Sequence, residues 1–456
     1  MRLFDSIVRQ DIYNEPAIKH KFRNEPFIKR LPYEKHYLYN HVLESLNSFH
    51  KEKTFLSRYS NILISIEILY NKGLFTQCKK LINKAKKEAY RLEKFSVLLI
   101  IVRWETLLFI KDEDDKSLNR NIAEELRILE MIRIQYVLMR IAFNVQIQID
   151  KGNSTEAFLK EQERTLTANL PVSENVNSFW AKYYYHSTIG LICTANKKHM
   201  QRYHSYAAIK RIMDIAPQFI ADLPYIYHLN SNNLAGMMFL LKKYTEAEVL
   251  IRQQRAFMKN YNVKRDSLAR IVFLNTSENE LFLHYKMGHF EKGAAMVKEI
   301  EGEVKKIDLN FSPLLYDLLF QMAITERNVK NYKDSAKWLN KMLSAEQVTN
   351  FRAELQITSR LLYLIVLFES QDRLFENRWQ ATKRFLLQHP TFKTHRKILE
   401  VLKLIADGVS TKKNIERSKE LALTIKTELK NSVEESVSKQ FDFAVWIEHK
   451  LRSRVF

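Results

Sequence analysis

Hydrophobic positions along this chain recur at helical spacing, in pairs of segments separated by a short turn. The pattern is clear in residues 61–89, where one apolar-striped segment ends at Gly73 and Phe75 follows the turn. The next segment carries Cys78 and Ile82 on one face. Spacing of i, i+3, i+4 and i+7 places side chains together on a helix, and glycine readily takes the left-handed backbone that ends one. The pattern therefore predicts a helical hairpin.

The same pattern returns in residues 229–254, 274–300 and 318–342. Each of these stretches has an aromatic residue just after the turn and a small residue three positions later. The aromatics are Tyr244, Phe290 and Tyr332, and the small residues are Ala247, Gly293 and Ser335, to which Cys78 corresponds in the first hairpin. Large side chains at a helix crossing would force the helices apart, so we expect the small residues to mark the crossings.

These hairpins resemble tetratricopeptide repeats, whose pattern places glycine before an aromatic at the turn and a small residue where helices A and B cross. The turn aromatics are 46 and 42 residues apart, compared with about 34 in the standard repeat, so the resemblance is to a divergent array. It implies a right-handed α-solenoid of stacked hairpins. It also implies that helix A, the first helix of each hairpin, lines a concave groove.

Composition also favours an all-α fold. Only 8 Gly and 8 Pro occur among 456 residues, which leaves few tight turns and makes long helices the default. We expect a further helical pair in residues 118–150. The expected segments are an N-terminal helical cap or small module (1–50), a first set of hairpins (51–170), central and C-terminal hairpins (171–432) and a capping helix (433–456).

The sequence pattern of the first 50 residues predicts two short helices and one longer helix. Three helices ahead of a repeat array resemble the layout of peptide-sensing bacterial regulators, which join a DNA-binding helix-turn-helix domain to tetratricopeptide repeats. This segment lacks the Gly-containing turn that is typical of the DNA-reading motif. A capping helical layer is therefore favoured over a DNA reader.

The chain is strongly basic, with a formal net charge of +21. Such a balance favours an acidic partner, a nucleic acid or an anionic surface. Its densest patch lies in residues 79–94, on the predicted second helix of the first hairpin. The patch residues are Lys79, Lys80, Lys84, Lys86, Lys87 and Arg91. A solvated outer helix face is the simpler interpretation of this patch.

No catalytic motif is present: the sequence has no phosphate-binding loop, no dinucleotide-binding glycine motif and no HExxH. Cys78 and Cys193 are distant, so we expect a reducing compartment and neither a disulfide framework nor a metal cluster. The first ten residues contain no apolar signal core, and the longest apolar runs are much shorter than the ~20 residues of a membrane span. We expect a cytoplasmic protein without catalysis, cofactor or metal.

One repeat position carries side-chain amides. Counting eleven residues back from the later turn aromatics gives Asn233, Asn279 and Gln321. Amides donate and accept hydrogen bonds together, as an extended peptide backbone requires, and Asn is a weak helix former. A packing role is the alternative. The neighbouring groove candidates are Asn232, Asn275, Glu278, Phe239, Tyr285 and Lys286.

The sequence thus predicts a helical-repeat scaffold that binds a protein or peptide in its groove, and Lys286 favours an acidic partner. A second hypothesis is a nucleic-acid-associated regulator that uses the basic surface and the N-terminal helices. A third is a structural subunit whose groove is filled by its own C-terminal helix.

Overall fold

The structure of the chain is a computed structural model. It describes residues 2–10, 13–50, 55–169, 178–261, 263, 266–307, 313–344, 353–389, 391–408, 412–429 and 441–452. Within these ranges every regular element is a helix, which confirms the all-α prediction. None of the helices in the described ranges is both long and apolar enough to cross a membrane.

The chain forms two compact units, and the first ends at Tyr185, inside α9. The predicted boundaries at 50, 170 and 432 concern smaller segments and stay predictions. In the first unit the helices are α1 (Arg2–Val8), α2 (Glu15–Lys21), a short 3₁₀ segment (Pro26–Arg30), α3 (Leu31–His50), α4 (Phe55–Asn71), α5 (Phe75–Arg91), α6 (Phe95–Lys111), α7 (Asp115–Asp150), α8 (Glu156–Ala168) and the start of α9 (Phe179–Ala195).

The second unit, His186–Phe456, continues the series of hairpins. Its helices after α9 are α10 (His199–Ile215), α11 (Pro217–Asp222), α12 (Pro224–Leu240), α13 (Tyr244–Asn260), α14 (Asp266–Lys286), α15 (Phe290–Lys306), α16 (Pro313–Asn328), α17 (Tyr332–Leu343), α18 (Ala353–Glu369), α19 (Phe375–Gln388), α20 (Lys393–Ala406), α21 (Lys412–Leu429) and α22 (Phe443–Arg452).

The turns between paired helices repeat one backbone geometry. Gly73 and Gly288 have positive φ angles of 74° and 73°, and the lysines at the corresponding turns, Lys242 and Lys330, have φ of 59° and 62°. After each of these residues, the next backbone N–H donates to a carbonyl five residues earlier. This is the hydrogen-bonding pattern that ends a helix with a left-handed residue. The turn geometry is therefore common to turns with and without glycine.

Small residues occupy the helix crossings, as the sequence predicts. The four residues Cys78, Ala247, Gly293 and Ser335 are all buried. A Cβ atom added at Gly293 would lie 3.0 Å from Cγ2 of Thr325, so little more than a glycine fits there. The Ser335 hydroxyl donates to the Ala323 carbonyl at 2.8 Å, which satisfies its polar group inside the hairpin.

The prediction of a helical pair in residues 118–150 is wrong. Residues 115–150 form one helix, α7, of 36 residues. This stretch contains neither glycine nor proline, so nothing interrupts the hydrogen-bonding ladder where an apolar pattern alone suggests two segments.

The core of the second unit is centred on two A helices. Every residue of α16 from Leu315 to Glu326 is buried, and α18 is buried from Leu355 to Leu367 except at Arg360. A helix buried all round has neighbours on all its faces. The middle of α16 and α18 therefore offers no open surface, and an accessible site on these two helices must lie near their ends.

Candidate functional site

The predicted row of amides joins one A helix to the next. Asn279 Nδ2 of α14 donates to Asn232 Oδ1 of α12 at 2.7 Å. One turn earlier, Asn275 Nδ2 lies 3.0 Å from His228 Nε2, again between α14 and α12. Asn275 and Asn279 are both buried. These contacts satisfy amides inside the fold and leave them poorly placed to meet a peptide.

Gln321 departs most clearly from the groove prediction, because its side chain has no exposed surface (0%). The fully buried α16 explains this, and it corrects the expectation that Gln321 lines a groove. Asn233 and Glu278 are partly exposed on α12 and α14. The amide position therefore lies mainly within the helix packing and does not form an open row.

Three of the predicted groove residues lie at the C-terminal ends of α12 and α14. The rings of Phe239 and Phe282 meet edge to face, with centroids 5.0 Å apart. Lys286 Nζ lies 5.0 Å from the centroid of Phe282 and 5.1 Å from that of Tyr285. Burial lowers the pKa of Lys286, although the negative charge of Asp442 acts in the opposite direction. The structure thus gathers Phe239, Tyr285 and Lys286 into one aromatic and cationic cluster.

A cavity of about 500 Å³ opens beside this cluster, at the ends of the A helices. Four aromatic side chains contribute to its wall: Tyr285, Tyr332, Phe441 and Trp446. The first two come from the repeat hairpins, and the other two come from the C-terminal segment that contains α22. The cavity is therefore built jointly by the repeats and the end of the described chain.

The charged lining of the cavity is centred on Glu369, the last residue of α18. Its carboxylate accepts hydrogen bonds from Arg327 Nε and Nη2 at 2.8 and 2.7 Å and from the Trp446 indole N–H at 2.9 Å. Lys450 Nζ lies 3.0 Å away. Burial alone would raise the pKa of Glu369, but these donors outweigh it and hold the pKa below its ordinary value. The carboxylate stays ionised and holds α22 against α18.

Aromatic contacts extend this attachment. The Trp446 ring meets Phe368 edge to face at 6.1 Å, and the Arg327 guanidinium lies 5.4 Å from the centroid of Phe441. α22 also packs against α20 and α21, where a terminal capping helix was expected. Residues 441–452 thus pack on the last hairpin and also reach the ends of α16 and α18. The rest of the predicted capping helix, 433–440 and 453–456, lies outside the described residues.

The cavity lining carries more positive than negative side chains. Arg327, Lys330 and Lys450 are set against Glu369 and Asp442. Lys330 is exposed and lies at the left-handed turn between α16 and α17. With Glu369 already bonded to two cations, the balance of charge favours an anionic group in the cavity.

An asparagine whose side-chain N–H donor has no partner in the described chain also lines the cavity. Asn328 Nδ2 is buried and has no hydrogen-bond partner among the described residues. A donor without a partner is costly inside a protein, so a rotation of the Asn328 side chain that brings Nδ2 to a ligand oxygen in the cavity would be favourable.

A different repeat position would have located this cavity from the sequence. Counting five residues back from each turn aromatic, instead of eleven, gives Phe239, Tyr285 and Arg327. Two of these line the cavity, and Phe239 belongs to the adjoining cluster. Glu369 and Trp446 lie outside that count, and no spacing in the sequence links them.

The predicted basic patch of the first unit separates into two groups. Lys86 is enclosed, with its Nζ 2.5 Å from Glu105 and 2.7 Å from Glu124, so it is removed from the exposed patch. The remaining patch residues, Lys79, Lys80, Lys84, Lys87 and Arg91, are exposed on α5. They form a positively charged outer helix face.

Among the described residues, no group of three or more His, Cys, Asp or Glu side chains is arranged to hold a metal ion. The sequence matches no protein-family model, and no curated protein matches it.

Proposed function

We propose that this chain is a tetratricopeptide-like scaffold that binds an acidic segment of a peptide or protein and carries out no catalysis. The observation that supports this most strongly is the cavity at the ends of α14, α16 and α18, with its aromatic walls and surplus of cations. The binding surface is the cavity together with the Phe239–Lys286 cluster.

The chemistry of this surface suits an acidic ligand that also carries an apolar side chain. Lys330 supplies an exposed positive charge, and the side-chain amide of Asn328 becomes a donor for a carbonyl or carboxylate oxygen when it turns towards the cavity. The rings of Tyr285 and Tyr332 offer flat apolar contact. A cavity of about 500 Å³ holds one or two side chains of a peptide.

Peptide pools of defined charge test this proposal. Fluorescently labelled 12-residue pools with acidic, neutral and basic compositions should be titrated with the full chain and followed by fluorescence anisotropy. We expect saturable binding of the acidic pool only, weakening as salt rises. Equal binding of the three pools, or binding of none of them, would overturn the proposal.

The exposed lysines of α5 favour a second candidate function, association with nucleic acid. The same titration with duplex and single-stranded oligonucleotides separates the two functions. Nucleic-acid binding through α5 would be lost on charge reversal at Lys79, Lys80, Lys84 and Lys87, while binding of acidic peptides in the second unit would be retained.

A further inference from the structure

A stripe of exposed apolar side chains runs along α7, the 36-residue helix of the first unit. The opposite side of the helix is buried, and the most extensive contacts of α7 with other helices are to α6 and α8. The exposed side chains have relative exposures between 42% and 63%. They are Ile122, Leu126, Leu129, Tyr136, Phe143 and Ile147.

Arg133 and Arg140 lie on the same stripe, between Leu129 and Tyr136 and between Tyr136 and Phe143. The intervals along it are then four, three, four, three, four, three and four residues. Alternation of three and four is the spacing of a coiled-coil seam, which a left-handed supercoil keeps facing one partner. This series of intervals is the same in both chain directions. Two copies of the seam can therefore pack against each other in antiparallel orientation with every position opposed to another.

We propose that α7 is a dimerisation helix, along which the α7 of a second copy of this chain packs antiparallel. The two-fold axis passes between residues 134 and 135. The opposed positions are then Ile122 with Ile147, Leu126 with Phe143, Leu129 with Arg140 and Arg133 with Tyr136. This surface belongs to the first unit and is independent of the proposed peptide site.

The charges decide between the two possible directions of packing. A parallel pair would place Arg133 against Arg133 of the second copy and Arg140 against its own equivalent, with like charges opposed inside the seam. The antiparallel pair instead places Arg133 over the ring of Tyr136, a favourable cation–π arrangement. It also brings Arg140 beside Leu129 and therefore next to Glu130. The Glu130 carboxylate lies on the same side of α7 as Arg133, because it forms an ion pair with Arg133 at 2.7 Å.

The area that such a pair would bury is sufficient for a reversible dimer. Covering six half-exposed apolar side chains and two arginine stems removes about 600 Å² from each copy. The total of about 1,200 Å² lies at the lower limit of specific interfaces. We therefore expect a dimer with a Kd on the order of 1–10 µM.

Sedimentation velocity of the full chain, between about 1 and 100 µM, tests the association. Leu126→Glu with Phe143→Glu would oppose two carboxylates within the seam, and we expect Kd to rise by more than about 100-fold. The matched control is Ile64→Glu with Ile68→Glu, which changes two exposed apolar residues of α4 and should leave the dimer intact. Circular dichroism checks that each variant stays helical.

Three outcomes would overturn the proposal: a parent that stays monomeric at the highest concentration, a dimer that survives the α7 variant, or equal loss in the control. Disulfide trapping then tests the direction of packing. Ile122→Cys alone should form no linked dimer, because its equivalents lie about 38 Å apart along an antiparallel pair. Ile122→Cys combined with Ile147→Cys should link efficiently. Linking through Ile122→Cys alone would show parallel packing and contradict the proposed register.

Discussion

At the scale of single residues, two side-chain amides of α14 connect that helix to α12. The bond from Asn279 to Asn232 crosses from α14 to α12, and Asn275 makes a parallel contact to His228 one turn earlier. Asparagine weakens a helix because its side chain competes for backbone hydrogen bonds. These contacts give the physical reason for its presence in the middle of both helices.

A double-mutant cycle tests the Asn232–Asn279 connection. Each single change to Ala removes the same hydrogen bond, so each should lower the free energy of unfolding by about 1 kcal/mol. The double variant should lose little more than either single one, with a coupling of roughly 1 kcal/mol in urea unfolding. Additive losses would show that the two amides act independently. Asn233→Ala, at a partly exposed neighbour, serves as the control.

His228 should make stability depend on pH. Burial lowers the pKa of His228 from 6.5 to about 4 in the folded chain, and its ring stacks on Phe257 at a centroid distance of 6.2 Å. Between these pH values the unfolded chain binds the proton more readily, so stability falls as pH decreases from about 6.5 towards 4. The loss attributable to this histidine is about 3 kcal/mol.

His228→Gln isolates this contribution, because glutamine keeps an acceptor for Asn275 but does not titrate. Urea unfolding of parent and variant at pH 7 and pH 4.5 gives two differences in stability. We expect the parent to lose about 2 kcal/mol more than the variant over this interval. Equal losses would mean that His228 does not titrate during unfolding.

At the scale of elements, the left-handed residue after each A helix is the most regular feature of the chain. Glycine takes this conformation without a steric penalty, whereas another residue loses about 1 kcal/mol there. Lys242, with φ of 59°, and Gly288, with φ of 73°, occupy equivalent turns. A Cβ atom at Gly288 would touch nothing within 4 Å, so any cost of adding one is conformational.

Exchanging residues at these two turns should therefore shift stability in opposite directions. Lys242→Gly should raise the free energy of unfolding by about 1 kcal/mol, and Gly288→Ala should lower it by about the same amount. Urea midpoints with unchanged m-values provide the measurement. The same sign of change in both variants would refute the equivalence of the turns.

Local signals made the helices and crossings predictable. Gly73 and the turn aromatics Phe75 and Phe290 each report on a turn or contact a few residues away in sequence, and the structure places them as predicted. The single helix α7 was missed because an apolar pattern cannot show whether a helix continues, whereas the absence of glycine and proline can. Hydrophobic periodicity identifies the buried face of a helix, whereas helix-breaking residues identify where the helix ends.

At the scale of the molecule, the cavity depends on contacts that local patterns do not contain. Tyr285, Lys286 and Phe239 were predicted from the sequence as neighbours of the amide position, and Phe239 and Tyr285 share one repeat position. Glu369 and Trp446 are 77 residues apart in sequence and are brought together by the packing of the C-terminal helices. The ion pair of Glu369 with Arg327 could not be inferred from local spacing, because 42 residues separate its partners. Gln321 does not line a groove because α16 is buried from Leu315 to Glu326, whereas a groove role for the partly exposed Asn233 stays a prediction.

The central claim is that the cavity of the second unit binds an acidic peptide segment. Its most direct test is the affinity of an acidic peptide pool for the parent, for Lys330→Glu, and for Lys259→Glu. Lys259 is an exposed lysine of α13 outside the cavity lining, so the control changes the net charge equally. We expect Lys330→Glu to weaken binding by about ten-fold or more and Lys259→Glu by less than about two-fold. Equal effects of the two variants would show that the peptide senses only the overall charge, and would contradict binding at this cavity.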